Sequence, residues 1–239
     1  MKLFLGIILA FIPSLIWLAF YLRKDRHPEP SRMVIRIFLL GILMVPIAGL
    51  VEQGFFLGLQ KISLLQKTYF LVVGFALIEE VLKYLVVRFG ILKNPEFDEP
   101  DDAMIYLIIA ALGFAAAENV YLLFQAYPVN LQIASALEFI TARFLGATFL
   151  HALASAILGY FLAASLLVTS KIRKILIWGG LLGATILHSV FNYIIILNSQ
   201  LMIGASERNL YLLILLLGMA LIVSLMFKKI NKYRSICKI

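Results

Sequence analysis

Ala76-Leu77-Ile78-Glu79-Glu80-Val81-Leu82-Lys83-Tyr84 sets two adjacent glutamates and a lysine inside a stretch that is otherwise apolar enough to cross a membrane. Each charged group near a bilayer centre costs roughly 3 kcal/mol on insertion scales, so such a cluster persists only where its members pair or take part in chemistry. On a helix, Glu79 and Glu80 lie four and three residues from Lys83, and both come within its reach. The two carboxylates point about 100° apart around the axis, so they cannot present identically to one site. One can act while the other orients.

The rest of the chain has the composition of a membrane protein. Of 239 residues, 63% are hydrophobic and 14% charged, and the mean hydropathy is +1.00, well outside the range of soluble globular domains. Apolar runs predict an all-α, polytopic transmembrane bundle of about seven spans, near residues 3–22, 35–58, 69–92, 104–126, 139–168, 175–197 and 210–227. The fifth run is long for one crossing and is expected to tilt or to begin with an interfacial turn near Arg143. Residues 3–22 read as a retained span, because no small-residue cleavage site precedes the basic Arg23, Lys24 and Arg26. No repeat of fixed period stands out, and a single domain over 1–239 is expected.

The net charge of +8 follows topology. With the amino terminus outside, fifteen lysines and arginines face inward and four, Lys2, Lys61, Lys67 and Arg208, face outward; Lys83 and Arg143 fall within spans. The positive-inside rule therefore puts the amino terminus outside and the carboxyl terminus inside. The partner implied by this charge is the lipid bilayer, with the tail Lys228 to Lys238 anchoring at the anionic leaflet, and no nucleic acid is implied. Cys237 is the single cysteine, so no intramolecular disulfide and no CxxC site can form.

Distance from span ends estimates depth. Glu79, His151 and His188 each lie roughly 15 to 20 Å into a core about 30 Å thick, and Glu118 lies somewhat toward the outer half. Polar groups from four helices thus converge, which implies a buried, hydrated cavity. Spacings of four put Phe114 with Glu118, His151 with Ser155 and Gly159, and His188 with Asn192 on shared helix faces. Such a set can hydrolyse an acyl bond in two ways: glutamate activates water while histidine and asparagine assist an oxyanion, or histidines with a glutamate hold a metal.

Other hydrolytic chemistries find no support in the letters. No H-E-x-x-H occurs, the four aspartates Asp25, Asp98, Asp101 and Asp102 lie in loops, and no G-x-S-x-G surrounds Ser155. The rival from another class is a proton-coupled transporter or channel built on the buried Glu, His and Lys. Internal repeats and broken helices, which would favour that rival, are not evident.

The ordered set Glu79-Glu80-x-x-Lys83, Gly113-Phe114-Ala115-Ala116-Ala117-Glu118-Asn119, Arg143 with His151, and His188-x-x-x-Asn192 resembles the PrsW family of bacterial intramembrane proteases. The likeness runs from about residue 76 to 193 and includes the approach Glu99-Pro100-Asp101-Asp102-Ala103. It implies a multi-pass protease of the bacterial cell membrane that makes the first cut in a single-span substrate, an anti-sigma factor, during envelope stress. Carried over, it makes Glu79 and Glu80 the catalytic pair, completed by Glu118, His151 and His188, with Asn192 supporting the oxyanion or the second histidine. Lys83, Asn119 and Arg143 are supporting residues. His151, His188 and Glu118 are the metal candidates, for a divalent ion such as zinc; the cofactor is none if glutamate-activated water suffices.

Several residues also read plainly as structural. Lys83 serves as a counter-ion, and Arg143 snorkels or pairs with Glu138. Glu52 reads as interfacial, Glu96 to Asp102 as a solvated acidic loop, and Gly179, Gly180 and Gly183 as a helix-packing face.

Overall fold

Backbone polar groups have no partners in hydrocarbon, so an apolar run that enters a membrane must satisfy them within itself, as a helix. In a computed structural model, which describes residues 2–24, 27–61, 63–127, 132–200 and 202–233, every regular element is helical. Asp25, Arg26, Arg234, Cys237 and Lys238 lie outside the described residues. The helices are α1 (Lys2–Leu22), α2 (Ser31–Gly58), α3 (Leu64–Gly90), α4 (Asp102–Ala126), α5 (Ile133–Leu145), α6 (Ala147–Leu166), α7 (Ser170–Ser199) and α8 (Ala205–Ile230).

Among the described residues, six segments are long and apolar enough to cross a membrane: α1, α2, α4, the α5–α6 stretch, α7 and α8. The expected third span, α3, has 27 residues and is long enough. Its charges separate it from the others, and the three in its middle, Glu79, Glu80 and Lys83, are all buried.

The expected fifth span is two helices. Gly146, at φ −106° and ψ −98°, breaks the run between α5 and α6. The turn falls three residues past Arg143, so of the two expectations for this run, a tilt or a turn near Arg143, the structure has the turn. Trp17 of α1 secures the joint. Its indole N–H donates to the Phe144 carbonyl at 3.0 Å, and its ring stacks on Phe149 at 4.1 Å. A side chain inserted at a helix break in this way satisfies a carbonyl that the broken ladder leaves free.

The axis of the bundle is α4, which packs on α1, α2, α3, α5 and α6. About 67% of its apolar window is buried, against 22% for α8, whose apolar face looks outward to lipid. Without a hydrophobic drive between helices in a bilayer, close backbone approach must supply the packing. Small residues make that approach possible. A Cβ on Gly113 would strike the Phe38 carbonyl of α2, one on Gly41 the Ala110 carbonyl of α4, and one on Gly159 of α6 the Met104 Cα at 2.6 Å. The glycine face expected on α7 is narrower than its letters suggest: Gly180 packs on Phe161, whereas Gly179 and Gly183 have nothing within 4 Å. Those two face away from the described helices, so they cannot mediate packing among them.

The acidic stretch before α4 is solvated only in part. Glu96 and Asp98 are exposed, but Asp101 and Asp102 are buried, and Asp102 Oδ2 accepts the backbone N–H groups of Asp98 at 2.9 Å and Glu99 at 2.8 Å. These bonds fold the loop back over the start of α4. Nearby, Tyr106 donates to Glu29 at 2.5 Å.

Gly159→Ala forces a methyl group into the α4 backbone and is expected to cost about 1–3 kcal/mol, read as a lowered unfolding midpoint in detergent. Gly183→Ala, with open space around it, should leave that midpoint unchanged.

Candidate active site

The site is best built outward from Glu80, which is wholly buried on α3. Its Oε1 accepts Lys83 Nζ at 2.7 Å and His188 Nδ1 of α7 at 3.0 Å. Its Oε2 accepts the Ser155 hydroxyl of α6 at 3.1 Å. Three donors from three helices thus occupy this carboxylate, and no solvent reaches it.

Lys83 is also fully buried. Its ammonium lies 2.8 Å from His151 Nδ1, 3.5 Å from Glu79 Oε2 and 4.9 Å from the centre of the Phe114 ring. An ammonium has donors only, so His151 Nδ1 accepts. The proton of that ring then sits on Nε2, which donates to Glu118 Oε2 at 2.9 Å. His188 is set in the opposite sense: its Nδ1 donates to Glu80, which leaves the Nε2 lone pair open, 4.0 Å from Glu79 Oε2. These tautomers follow from the network. The two rings meet edge to face with centroids 5.0 Å apart.

Glu118 is held from the other side by the Arg143 guanidinium. The sequence offered Glu138 as the partner of Arg143; the break at Gly146 instead turns α5 so that Arg143 reaches α4. Arg143 Nε also donates to Asn119 Oδ1 at 2.6 Å. Asn119 passes its own amide to Thr148 Oγ1 at 3.1 Å and to the Ala10 carbonyl at 3.3 Å. Asn119 is therefore a strut that joins α1, α4, α5 and α6.

Glu79 stands apart. Its Oε2 is buried and accepts no hydrogen bond, although the Lys83 charge is close. It borders a cavity of about 1360 Å³ whose walls also include Glu52, Phe114, Glu118 and Asn192. Phe56, Phe75 and Pro46 make much of the wall apolar.

The donor set that converges is Glu79, His151 and His188, whose ligand atoms all lie within 4.8 Å of one another. A carboxylate with two imidazoles suits a divalent metal such as zinc, and the orphaned Glu79 oxygen and open His188 Nε2 are ready ligands. Both nitrogens of His151 already carry bonds, so ligation there displaces Lys83 or Glu118. Glu118, expected from the sequence among the ligands, lies beyond His151 and is matched by Arg143. Glu80 holds the rear nitrogen of His188, the usual place of an outer partner that orients a histidine ligand.

Three participants were not legible as such. Ser155 shares the His151 face in sequence, but its bond is to Glu80. Thr148 carries no local signal at all, and Glu52 reads as interfacial until α2 is seen to wall the cavity.

Carboxylates and histidines buried inside a multi-pass helical bundle, beside an apolar cavity, define a membrane-embedded hydrolase. The model of the PrsW family intramembrane metalloproteases matches residues 29–226, which span every residue of the cluster. The chain is 31% identical over 182 residues to Protease PrsW of Geobacillus kaustophilus, covering 74% of this chain and 73% of that protein. It is 31% identical over 183 residues to Protease PrsW of Oceanobacillus iheyensis (77% and 79%) and 26% identical over 185 residues to that of Bacillus subtilis (77% and 79%). This chain belongs to the PrsW family of intramembrane proteases, and is thus a multi-pass bacterial membrane peptidase. No solved structure matches it.

Removing Lys83 strands Glu80 as an unpaired buried charge, so Lys83→Met is expected to cost about 3–5 kcal/mol. Lys83→Met combined with Glu80→Gln should recover a large part of that loss. Chemical unfolding in detergent micelles, run as a double-mutant cycle, measures the recovery.

Proposed function

We propose that this protein cleaves a peptide bond in a single-span membrane protein, with Glu79 as the base that activates water and Glu80 as the group that positions the histidines. The observation that carries the reading is the contrast between neighbours: Glu80 is saturated by Lys83, His188 and Ser155, whereas Glu79, which lines the cavity, keeps a buried oxygen that accepts no hydrogen bond. A general base must hold a free lone pair where its proton will come from.

In this mechanism Glu79 takes a proton from water as the water oxygen bonds to the scissile carbonyl carbon. The charge that develops on the carbonyl oxygen is met by the Asn192 amide, on the same cavity wall. Glu79 then returns the proton to the leaving nitrogen as the C–N bond breaks. Arg143 and Glu118 keep His151 fixed throughout. A divalent metal held by Glu79, His151 and His188, when bound, would supply Lewis-acid polarisation of the carbonyl and a more acidic water. In that version Glu79 would serve as a ligand and His151 would give up its bond to Lys83 or Glu118, while Glu80 would still orient His188.

The substrate class follows family resemblance: an anti-sigma factor, cut first at this site in envelope stress signalling. The flanking charges favour a carboxyl terminus on the inner side. The cavity lies among α2, α3, α4 and α7, so a substrate segment reaches it sideways from the bilayer.

The test is cleavage of a panel of single-span proteins, anti-sigma factors included, by purified protein in lipid vesicles. Glu79→Gln should lower kcat by at least about a hundredfold with the helical spectrum intact. A Glu79→Gln protein that cleaves at the normal rate removes Glu79 from the mechanism.

Metal binding is measured separately. Zinc titration of chelator-treated protein should show one tight equivalent that is lost in His188→Ala, with chelated protein inactive until zinc is restored. Full activity with no bound metal would favour glutamate-activated water alone.

A further inference from the structure

Three carboxylates line the cavity, Glu52, Glu79 and Glu118, and none of its lining residues is a lysine, arginine or histidine. Two of the three are already matched. Glu118 is paired with Arg143 and His151, and Glu79 lies 3.5 Å from the Lys83 ammonium. Glu52, on α2 six residues before the helix ends at Gly58, makes no hydrogen bond or ion pair to any described residue. It is half-buried among Ala48, Gly49 and Phe56 on the same wall. A carboxylate held against apolar surface without a partner is unfavourable, and the imbalance is relieved by a cation that arrives with a bound molecule.

We propose that Glu52 sets substrate specificity by receiving a lysine or arginine side chain of the segment being cleaved. The inference rests on the peptidase reading above and deepens it. Three features of the cavity favour this occupant. With Glu118 and Glu79 matched from behind, Glu52 is the lining carboxylate left without a cation among the described residues within ion-pair distance, so charge complementarity there selects a basic side chain and disfavours an acidic one. The remaining wall, from Ile42 and Leu43 to Phe56 and Phe75, suits the apolar residues of a membrane-spanning segment and the methylene stem of lysine or arginine. The neutral amides Gln53, Gln125 and Asn192 are placed to hold backbone groups that an unwound segment exposes. Glu52 is thus separate from the Glu80–Lys83–His151 network, which sits behind Glu79.

The experiment uses a series of single-span substrates in lipid vesicles, identical except for one lysine moved position by position along a segment otherwise carrying methionine at those positions. An anti-sigma factor segment is included. The wild-type protein should show one preferred lysine position, with kcat/KM raised at least about tenfold and the gain residing chiefly in KM. Glu52→Gln should bring the lysine-to-methionine ratio at that position close to one. Glu52→Lys should invert it, favouring aspartate there, a gain that misfolding cannot produce. Cleavage without any preferred position, or a preference of equal size in Glu52→Gln, overturns this inference and leaves the peptidase reading standing. A wild-type protein that cleaves no member of the series overturns both.

Discussion

The Lys83 ammonium, wholly enclosed between α3, α4 and α6, is the constraint on which the site depends. Because it can only donate, it fixes the direction of every bond next to it. Glu80 must accept, His151 Nδ1 must accept, and the proton of His151 is thereby sent to Glu118. Arg143 continues the chain from Glu118 to Asn119, and Asn119 carries it to Thr148 and the Ala10 carbonyl. One polar network therefore clasps α1, α3, α4, α5 and α6, with α7 joined through His188 and Glu80. In low dielectric such a network is strong only when complete, which explains why so many of its members are saturated.

Function arises from the place where saturation stops. Glu79 and Glu80 are neighbours in sequence, yet their rotation about α3 delivers one to the cavity and hides the other behind it. The hidden carboxylate sets the tautomer of His188, and the unbonded oxygen of Glu79 is left for chemistry. Close helix packing makes this division possible. The contacts of Gly41 and Gly113 between α2 and α4, and of Gly159 on α4, bring backbones near enough that short side chains such as Ser155 reach across. A larger residue at these crossings would move α2 or α6 away from α4 by more than a hydrogen bond tolerates.

Much of this geometry was legible because depth and spacing are local properties. Distances from span ends and repeats of four residues suffice to bring Glu79, His151 and His188 together, and Lys83 within reach of Glu80. What escaped depends on contacts between distant parts of the chain. Arg143 has an acidic neighbour five residues away in Glu138, but its partner is Glu118, 25 residues away, because Gly146 redirects α5. The length of the run pointed to a turn near Arg143, but its place at Gly146 has no local signal: one glycine in a run of apolar residues looks like any other. The convergence of Glu79 with the histidines in place of Glu118 is equally a matter of helix rotation. The acidic loop looked solvated by composition, but Asp102 turns inward to bind the loop's own N–H groups.

The most direct measurement of the central claim is a structure of the protein in lipid nanodiscs with a peptide phosphonate that mimics the tetrahedral intermediate. A phosphonate group within reach of Glu79 and facing Asn192, with the Glu80–Lys83–His151 bonds undisturbed, is the predicted result. A phosphonate bound against Glu80 and Ser155, or seated outside the cavity, would contradict it.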